Sequence, residues 1–330
     1  MVINVALQNT QYNIYIERGI ISHLDQYVKK DCKVLIITDT NIPQTYIDKV
    51  SANFKMVFVK KLQPGEVSKS IASFESCQQL LLEKCFSRDD LIIALGGGVV
   101  GDLAGFVAST YKRGIAFVNI PTTTLSQIDS SIGGKTAINL SGIKNVVGSF
   151  YQPKAVFIDF DTLTTLTTRH YHNGLVEAIK AGLIGDKSLF EEFEKPQLNI
   201  EEIIIKAIMV KKAVVEVDEK ELGLRKILNF GHTLGHGIEA YYHNEGYYHG
   251  EVVGLGMLKV LNDEILKLRL KAILKKLNLP TEVAYDPEKV YEFILNDKKI
   301  NHDTIDLVRV KTIGHAYIET VSLTSLKELL

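Results

Sequence analysis

The chain has 330 residues and a formal net charge of −1, with 46% hydrophobic and 23% charged residues. That length suits two domains or one large one, and the composition is that of a folded globular protein rather than a disordered one. A near-zero charge balance argues against the basic surface that nucleic acid or an anionic membrane would require, so neither is expected as a partner. No apolar run approaches the roughly 18 residues of a membrane span, and the opening "MVINVALQNTQYNIYI" lacks the basic segment and apolar core of a signal peptide. Cys32, Cys77 and Cys85 are odd in number and lack CxxC spacing, which fits reduced thiols in a cytoplasmic protein.

In chain order, "VINVAL" and "YNIYIE" predict a hairpin at a sheet edge. The short β-branched runs "KVLIIT" (33–38), "MVFVK" (56–60), "LIIAL" (91–95), "IAFVNI" (115–120) and "AVFID" (155–159) suit strands buried on both faces. Helix-like stretches such as "SIASFESCQQLLLEKCF" (70–86) lie between them, and this alternation predicts a largely parallel sheet covered by helices. After about residue 160 the pattern changes. "LVEAIKAGLI", "EEIIIKAIMVKKAVVEV", "RKILNFGHTLGHGIEAYY" and "EVVGLGMLKVLNDEILKLRLKAILKKL" all carry helical spacing, and "LVRVKTIG" (307–314) is one short extended piece. The expected organisation is an α/β, Rossmann-like nucleotide-binding domain over 1–160 and an all-α domain over 161–330. A cleft between two such domains is a usual place for a ligand.

"LIIALGGGVVGDLAGF" reads as strand, glycines, helix, with Gly96, Gly98 and Gly101 fitting G-x-G-x-x-G. Such a turn lets the backbone approach a pyrophosphate at a helix N-terminus, although a ligand-free turn explains a lone match equally well. The acid expected about 20 residues further on is missing, because the next strand ends "NIPTTT". Asp39 is the nearest substitute, Glu66 and Lys69 of "PGEVSK" add charge, and the hydroxyls of 121–124 add hydrogen bonds. "DSSIGGKTAINLSGIKN" (129–145) reads as a polar, glycine-rich loop with Asp129, Lys135, Lys144 and Asn145, and Arg113 precedes it. By itself that is a solvated loop. With a second phosphate-suited segment about 35 residues away, it offers room for both a cofactor pyrophosphate and a phosphorylated substrate.

In the helical half, Glu177 and Lys180 are spaced i, i+3 on one face among small and apolar residues. Lys211 and Arg225 flank an acidic patch. Four of the nine histidines fall between 232 and 249. His232 and His236 are i, i+4 and form an HxxxH pair, while His249 opens the next helix. A catalytic zinc takes three protein ligands, and Glu177 completes either His232/His236 or His232/His249, so spacing leaves both sets open. His243, in "YYHN", reads as a surface histidine.

Taken together, "GGGVVGDLAGFVAS", "PTTTLSQIDSSIGGKTAIN", "KNVVGSF", "GLVEAIKAG", "DEKELGLRKILNFGHTLGHGIE" and "HGEVV" resemble the 3-dehydroquinate synthase family, in order, from about residue 33 to 300. The resemblance implies conversion of 3-deoxy-D-arabino-heptulosonate 7-phosphate to 3-dehydroquinate and phosphate, in the shikimate pathway, with catalytic NAD and one zinc or cobalt ion in a homodimer. It implies Glu177, His232 and His249 as the metal ligands, with His236 turned to the substrate phosphate. NAD would be lined by Asp39, Asn41, Glu66, Lys69, Gly98, Val99, Val100, Gly101, Asp102, Thr122, Thr123, Lys135, Lys144, Thr162, Leu163, Thr164 and Thr165. Asp129, Lys135, Lys180, Lys211, Arg225 and Asn229 would hold the sugar acid. Lys135, Asn145, His236 and Lys299 would surround its phosphate, with Arg113 of the partner subunit reaching in. The chain departs from the family pattern at Ile143, Tyr248, Val252 and "TTRHYHNG", none of which carries an implied role.

Two other function classes fit the same residues less well. A metal- and NAD-dependent polyol dehydrogenase has no use for a phosphate site, which Lys135, Asn145 and His236 imply; a cyclase for a different sugar phosphate differs only in substrate. A non-catalytic NAD-binding module predicts a lost metal ligand or substrate lysine, and none is lost.

Overall fold

The structure, a computed structural model, describes residues 1–243, 246–295, 300–301 and 303–330. The chain divides into two compact units, Met1–Leu166 and Thr167–Leu330. The boundary expected at 160/161 falls at a 3-10 segment, Phe160–Thr165, that belongs to the first unit.

The first unit runs β1 (Val2–Ala6), β2 (Gln11–Ile16), β3 (Lys33–Asp39), α1 (Gln44–Ser51), β4 (Met56–Leu62), α2 (Ile71–Glu83), β5 (Leu91–Gly96), α3 (Gly98–Thr110), β6 (Ala116–Pro121), β7 (Lys135–Leu140), β8 (Ile143–Phe150) and β9 (Ala155–Ile158). Seven strands form one sheet in the order β1-β2-β9-β6-β5-β3-β4. β1 and β2 pair antiparallel at its edge, and every other pairing is parallel. The β-branched runs are continuous because both faces are covered. Leu35, Ile37, Ile92 and Ala94 join one core with Leu81, Leu103 and Val107 from α2 and α3. Val34, Ile36, Ile93 and Leu95 join another with Ile47 and Val50 from α1. Side chains alternate across a strand, so only uninterrupted apolar sequence can feed two cores.

One expectation is corrected here. The segment 129–145 is not one loop: after a π-helical turn, Ser126–Ser130, it enters a β7–β8 hairpin. The strands meet at Ser141 and Gly142, whose φ values of 52° and 79° suit the two-residue turn that matches strand twist. β8 alternates exposed and half-buried residues, and this weak pattern conceals a strand in a polar sequence.

The second unit is predominantly helical, with α4 (Thr168–Gly185), α5 (Lys187–Glu192), α6 (Ile200–Val217), α7 (His232–Tyr241), α8 (His249–Val260), α9 (Glu264–Lys276) and α10 (Pro287–Leu295). It is not all-α. β10 (Ile300–Asn301), β11 (Thr304–Thr312) and β12 (His315–Ser322) form a three-stranded antiparallel sheet before α11 (Leu323–Lys327). "LVRVKTIG" anticipates only β11; β12, "HAYIETVS", mixes exposed and half-buried residues with none fully buried, and its apolar residues do not form a continuous run. The sheet is tied to the helices where Gly314 N–H donates to Leu183 O and Arg309 donates to Val260 O at the end of α8. Helix ends follow local chemistry: the Asp186, Asn199 and Asp263 carboxylate or amide oxygens accept from N–H groups at the starts of α5, α6 and α9. Among the described residues no helix is long and apolar enough to cross a membrane.

Candidate functional site

Three helices of the second unit bring the histidines to Glu177, and glycine is what lets them close. Gly231 has φ +77° just before α7, and a Cβ there would sit 2.6 Å from Met257 Cγ and 2.7 Å from Val253 O. A Cβ on Gly256 would lie 2.0 Å from Gly231 O, so α7 and α8 meet backbone to backbone. At its other end α8 abuts α4, where Gly250 N–H donates to Asn173 Oδ1 at 2.7 Å. Arg169 of α4 adds a bidentate pair to Glu251 of α8, with both bonds at 2.7 Å. These contacts set His232 at the start of α7, His249 at the start of α8 and Glu177 in the middle of α4.

Glu177, His232 and His249 each offer a ligand atom, all within 4.8 Å of one another. Nε2 of His232 and of His249 stand 3.8 and 3.6 Å from Glu177 Oε1, too far for hydrogen bonds. Lys180 forms an ion pair at Oε2. Oε1 has no hydrogen-bond partner, although the Glu177 side chain is only 1% exposed. A buried carboxylate left this way is costly, and a cation between it and two imidazoles would satisfy it. Two histidines and one carboxylate are a donor set that suits zinc or cobalt. Burial by itself would raise the Glu177 carboxyl, but Lys180 and then His249 hold it well below its ordinary value. Burial, with the charges of Lys180 and His249, keeps His232 neutral and ready to ligate. Burial opposes a charge on His249 too, yet Glu177 and then Glu239 outweigh it and lift its value.

The HxxxH pair does not by itself define the group around Glu177. His236 lies beside it, its ring centroid 5.3 Å from His232 and 5.8 Å from His249. His243 is exposed. Lys211 and Arg225 are buried, and Arg225 N–H donates to Asp218 Oδ2 at 3.0 Å while its guanidinium donates to Glu219 O. Asn229 donates to Glu221 Oε1 at 2.6 Å. Lys299 lies outside the described residues.

The first unit builds a different kind of site. α3 begins directly at the end of β5, and Gly101 faces Asn119 of β6, where a Cβ would come within 3.2 Å of Asn119 Nδ2. The third glycine of the motif therefore serves close helix–strand packing. Val99, Val100 and Asp102 follow in the first turns of α3. Lys69, 4% exposed, donates to Asp102 Oδ2 at 2.6 Å and to Asn145 Oδ1, and stands 3.9 Å from Glu66 Oε1. Burial pushes the Asp102 carboxyl up, and Lys69 pulls it back only in part. Asn139 closes the network, donating to Glu66 Oε1 at 2.8 Å and accepting from Asn145 N–H at 2.9 Å. Sequence reasoning passed over Asn139, whose only signal was its place in the same polar hairpin. Asn145, assigned above to a substrate phosphate, here joins the Lys69 network.

The remaining residues of this unit sit at strand ends and surfaces. Asp39 ends β3 and accepts from Asn41 N–H at 2.8 Å. Thr122 and Thr123 follow β6, and the buried Thr122 hydroxyl has no hydrogen-bond partner. Thr123 pairs with Ser126 at 2.8 Å. Thr162 is buried and accepts from Gln127, Leu163 is buried, and Thr164 and Thr165 are exposed. Asp129 and Lys144 are half-buried, and Lys135 and Arg113 are exposed.

Comparison with known proteins gives a consistent result. Family models described as 3-dehydroquinate synthase N-terminal and 3-dehydroquinate synthase C-terminal match residues 59–173 and 174–300. The 3-dehydroquinate synthase of Clostridium acetobutylicum is 44% identical over 341 residues, covering 97% of this chain and 96% of that protein. The solved structure of 2-deoxy-scyllo-inosose synthase complexed with carbaglucose-6-phosphate, NAD+ and Co2+ has a TM-score of 0.90 at 23% identity, covering 100% of this chain and 99% of its own. A 2-epi-5-epi-valiolone synthase from Streptomyces hygroscopicus, solved with NAD+ and Zn2+ bound, reaches 0.88 at 22% identity, covering 98% and 97%. The solved structures establish the fold, and the sequence matches establish descent: this chain belongs to the 3-dehydroquinate synthase family.

Proposed function

We propose that the protein catalyses the reaction of its family, converting 3-deoxy-D-arabino-heptulosonate 7-phosphate to 3-dehydroquinate and phosphate, with NAD and one zinc or cobalt ion. It is then a carbon–oxygen lyase of aromatic amino acid biosynthesis. The observation that carries this reading is the buried Glu177 carboxylate, whose Oε1 has no hydrogen bond and faces His232 and His249. For NAD, the fit rests on the partnerless Thr122 hydroxyl after β6 and on the glycines at the start of α3. There a Cβ on Gly97 or Gly98 would already crowd Thr123 or Ser130, at 3.2 and 3.0 Å.

When bound, NAD supplies reversible hydride transfer and the cation supplies Lewis acidity at a substrate oxygen. Glu177, His232 and His249 would hold the cation, and Lys180 Nζ, on the Oε2 side of Glu177, would lie beside the reacting hydroxyl. Lys211 and Arg225 are 8% and 2% exposed, so their attraction for a substrate carboxylate is little screened by water. Asn229 would hydrogen-bond a hydroxyl of the sugar acid, and His236 would hold the phosphate. Asp129, Lys135, Asn145 and Arg113 of the first unit belong to the same reading, Arg113 acting across a homodimer. Asp39, Glu66, Lys69, 98–102, Thr122, Thr123, Lys144 and 162–165 are assigned to NAD. The chain's task toward substrate is to hold it in one geometry, which supplies the rate advantage of an intramolecular reaction. The free thiols Cys32, Cys77 and Cys85 fit a cytoplasmic setting.

Phosphate release from the heptulosonate phosphate, followed with trace NAD and with NADH absorbance, tests the proposal. Many phosphates per NAD without accumulating NADH is the expected result. Steady NADH without phosphate would replace it with a polyol dehydrogenase, and neither signal would point to another sugar phosphate.

A further inference from the structure

We propose that His236, Glu239 and His249 form a staging site, through which a divalent cation passes on its way to Glu177, His232 and His249. The inference rests on the reading of that buried group as the resident metal site. The staging residues are a second group of possible ligands, with atoms again within 4.8 Å of one another. His249 belongs to both groups.

The two groups differ in their access to water. The Glu177 side chain is 1% exposed and that of His232 is 12% exposed. His249 is 32% exposed, and His236 and Glu239 are half-buried. A hydrated cation therefore meets His236, Glu239 and His249 before it can meet Glu177. Direct transfer from water to the buried group would strip the ion of its shell before protein ligands replaced it, which is expensive for a double charge. Lys180 worsens this, since its ammonium group already lies against Glu177 and repels an incoming cation. Glu239 places a compensating negative charge on the outer side.

The geometry suits an exchange of ligands one at a time. His232, His236 and Glu239 lie at i, i+4 and i+7 on α7, along one face of the helix. The rings of His232, His236 and His249 are mutual neighbours, with centroids 5.2 to 5.8 Å apart. An ion held by the outer group keeps His249 while it releases Glu239 for Glu177 and His236 for His232. No electron moves, and the donor set is two imidazoles and one carboxylate at both positions. His236 is then free again for its proposed role with substrate phosphate.

Glu239 has a competing role that makes different predictions. A carboxylate that only orients a ligating histidine supports affinity, and its loss costs about 10–100-fold in metal binding. A staging residue lies on the path and leaves the end point alone, so its loss slows arrival and departure equally. The experiment is stopped-flow Co2+ binding to the metal-stripped full chain, read by cobalt absorbance, with Co2+ affinity measured separately by chelator competition. For Glu239→Gln the expected result is association and dissociation rates that both fall about tenfold, as for one ligand interaction lost from a barrier, with affinity unchanged. Glu239→Asp should restore part of the rate. Unchanged rates would overturn the proposal, and so would weakened affinity with an unchanged association rate. A His232→Ala variant should keep a weak Co2+ site that Glu239→Gln then removes; no residual site would also overturn it. If Glu177→Ala and His232→Ala bind Co2+ as the unaltered chain does, the failure belongs to the resident-site reading instead.

Discussion

The polar centres of the two units solve opposite problems. Around Lys69 in the first unit each polar group already has a partner: Asp102, Asn145 and Glu66 surround one ammonium group, and Asn139 links the last two. Around Glu177 in the second unit the charge is only half answered, with a lysine on one oxygen and no hydrogen bond to the other. The first centre is complete as folded. The second is held open by helix packing and gains most from a ligand.

Substitutions can break or sharpen this contrast. The largest effect belongs to Glu177→Ala, which should reduce activity by at least about a thousandfold, the several kcal/mol a Lewis acid supplies. Thermal stability of the metal-stripped chain should fall as well, because Lys180 is left buried without its partner; an unchanged transition would mean that the ion pair contributes nothing to the fold. Next is Gly256→Ala, whose methyl would lie 2.0 Å from Gly231 O and force α7 from α8. Denaturant unfolding should show a loss of about 3 kcal/mol, accompanied by weaker metal binding. In the first unit, Lys69→Met should cost about 2 kcal/mol by leaving Asp102 without its cation, and should weaken NAD binding measured by calorimetry.

The smallest effect is pH-dependent. Asp90, which accepts from Lys33 N–H, Ser87 N–H and the Ser87 hydroxyl, ties the start of β3 to the turn before β5. Burial opposes its ionisation, but those hydrogen bonds prevail and hold its carboxyl below the ordinary 3.8. Its contribution is therefore fully present above 3.8 and is lost as pH falls through the lower folded value. Asp90→Asn should cost about 1–2 kcal/mol at neutral pH, and the difference from the unaltered chain should shrink only below that range. A difference that persists into strong acid would remove the carboxylate from the explanation.

The buried parallel strands were the most legible part of the fold, since β3, β5 and β9 must supply apolar residues to two faces at once. The β7–β8 hairpin was hidden because exposed, partly polar strands joined by Ser141 and Gly142 look like a loop. β12 was missed for a related reason. In the helical unit, composition marked out the histidines, but spacing could not choose among His232, His236 and His249. That choice depends on how α7 meets α8, which is set by Gly231 and Gly256, and on how α8 meets α4 at Gly250 and Asn173. Asn139 gave no signal of its own, because it gains significance only from Glu66 and the Lys69 network, distant in sequence.

Metal content per chain, measured after loading and gel filtration for Glu177→Ala, His249→Ala and His236→Ala, tests the central claim most directly. The account predicts that the first two lose the ion and that His236→Ala retains it while binding the phosphorylated substrate more weakly. Full metal in either of the first two variants, or its loss from the third, would contradict the account.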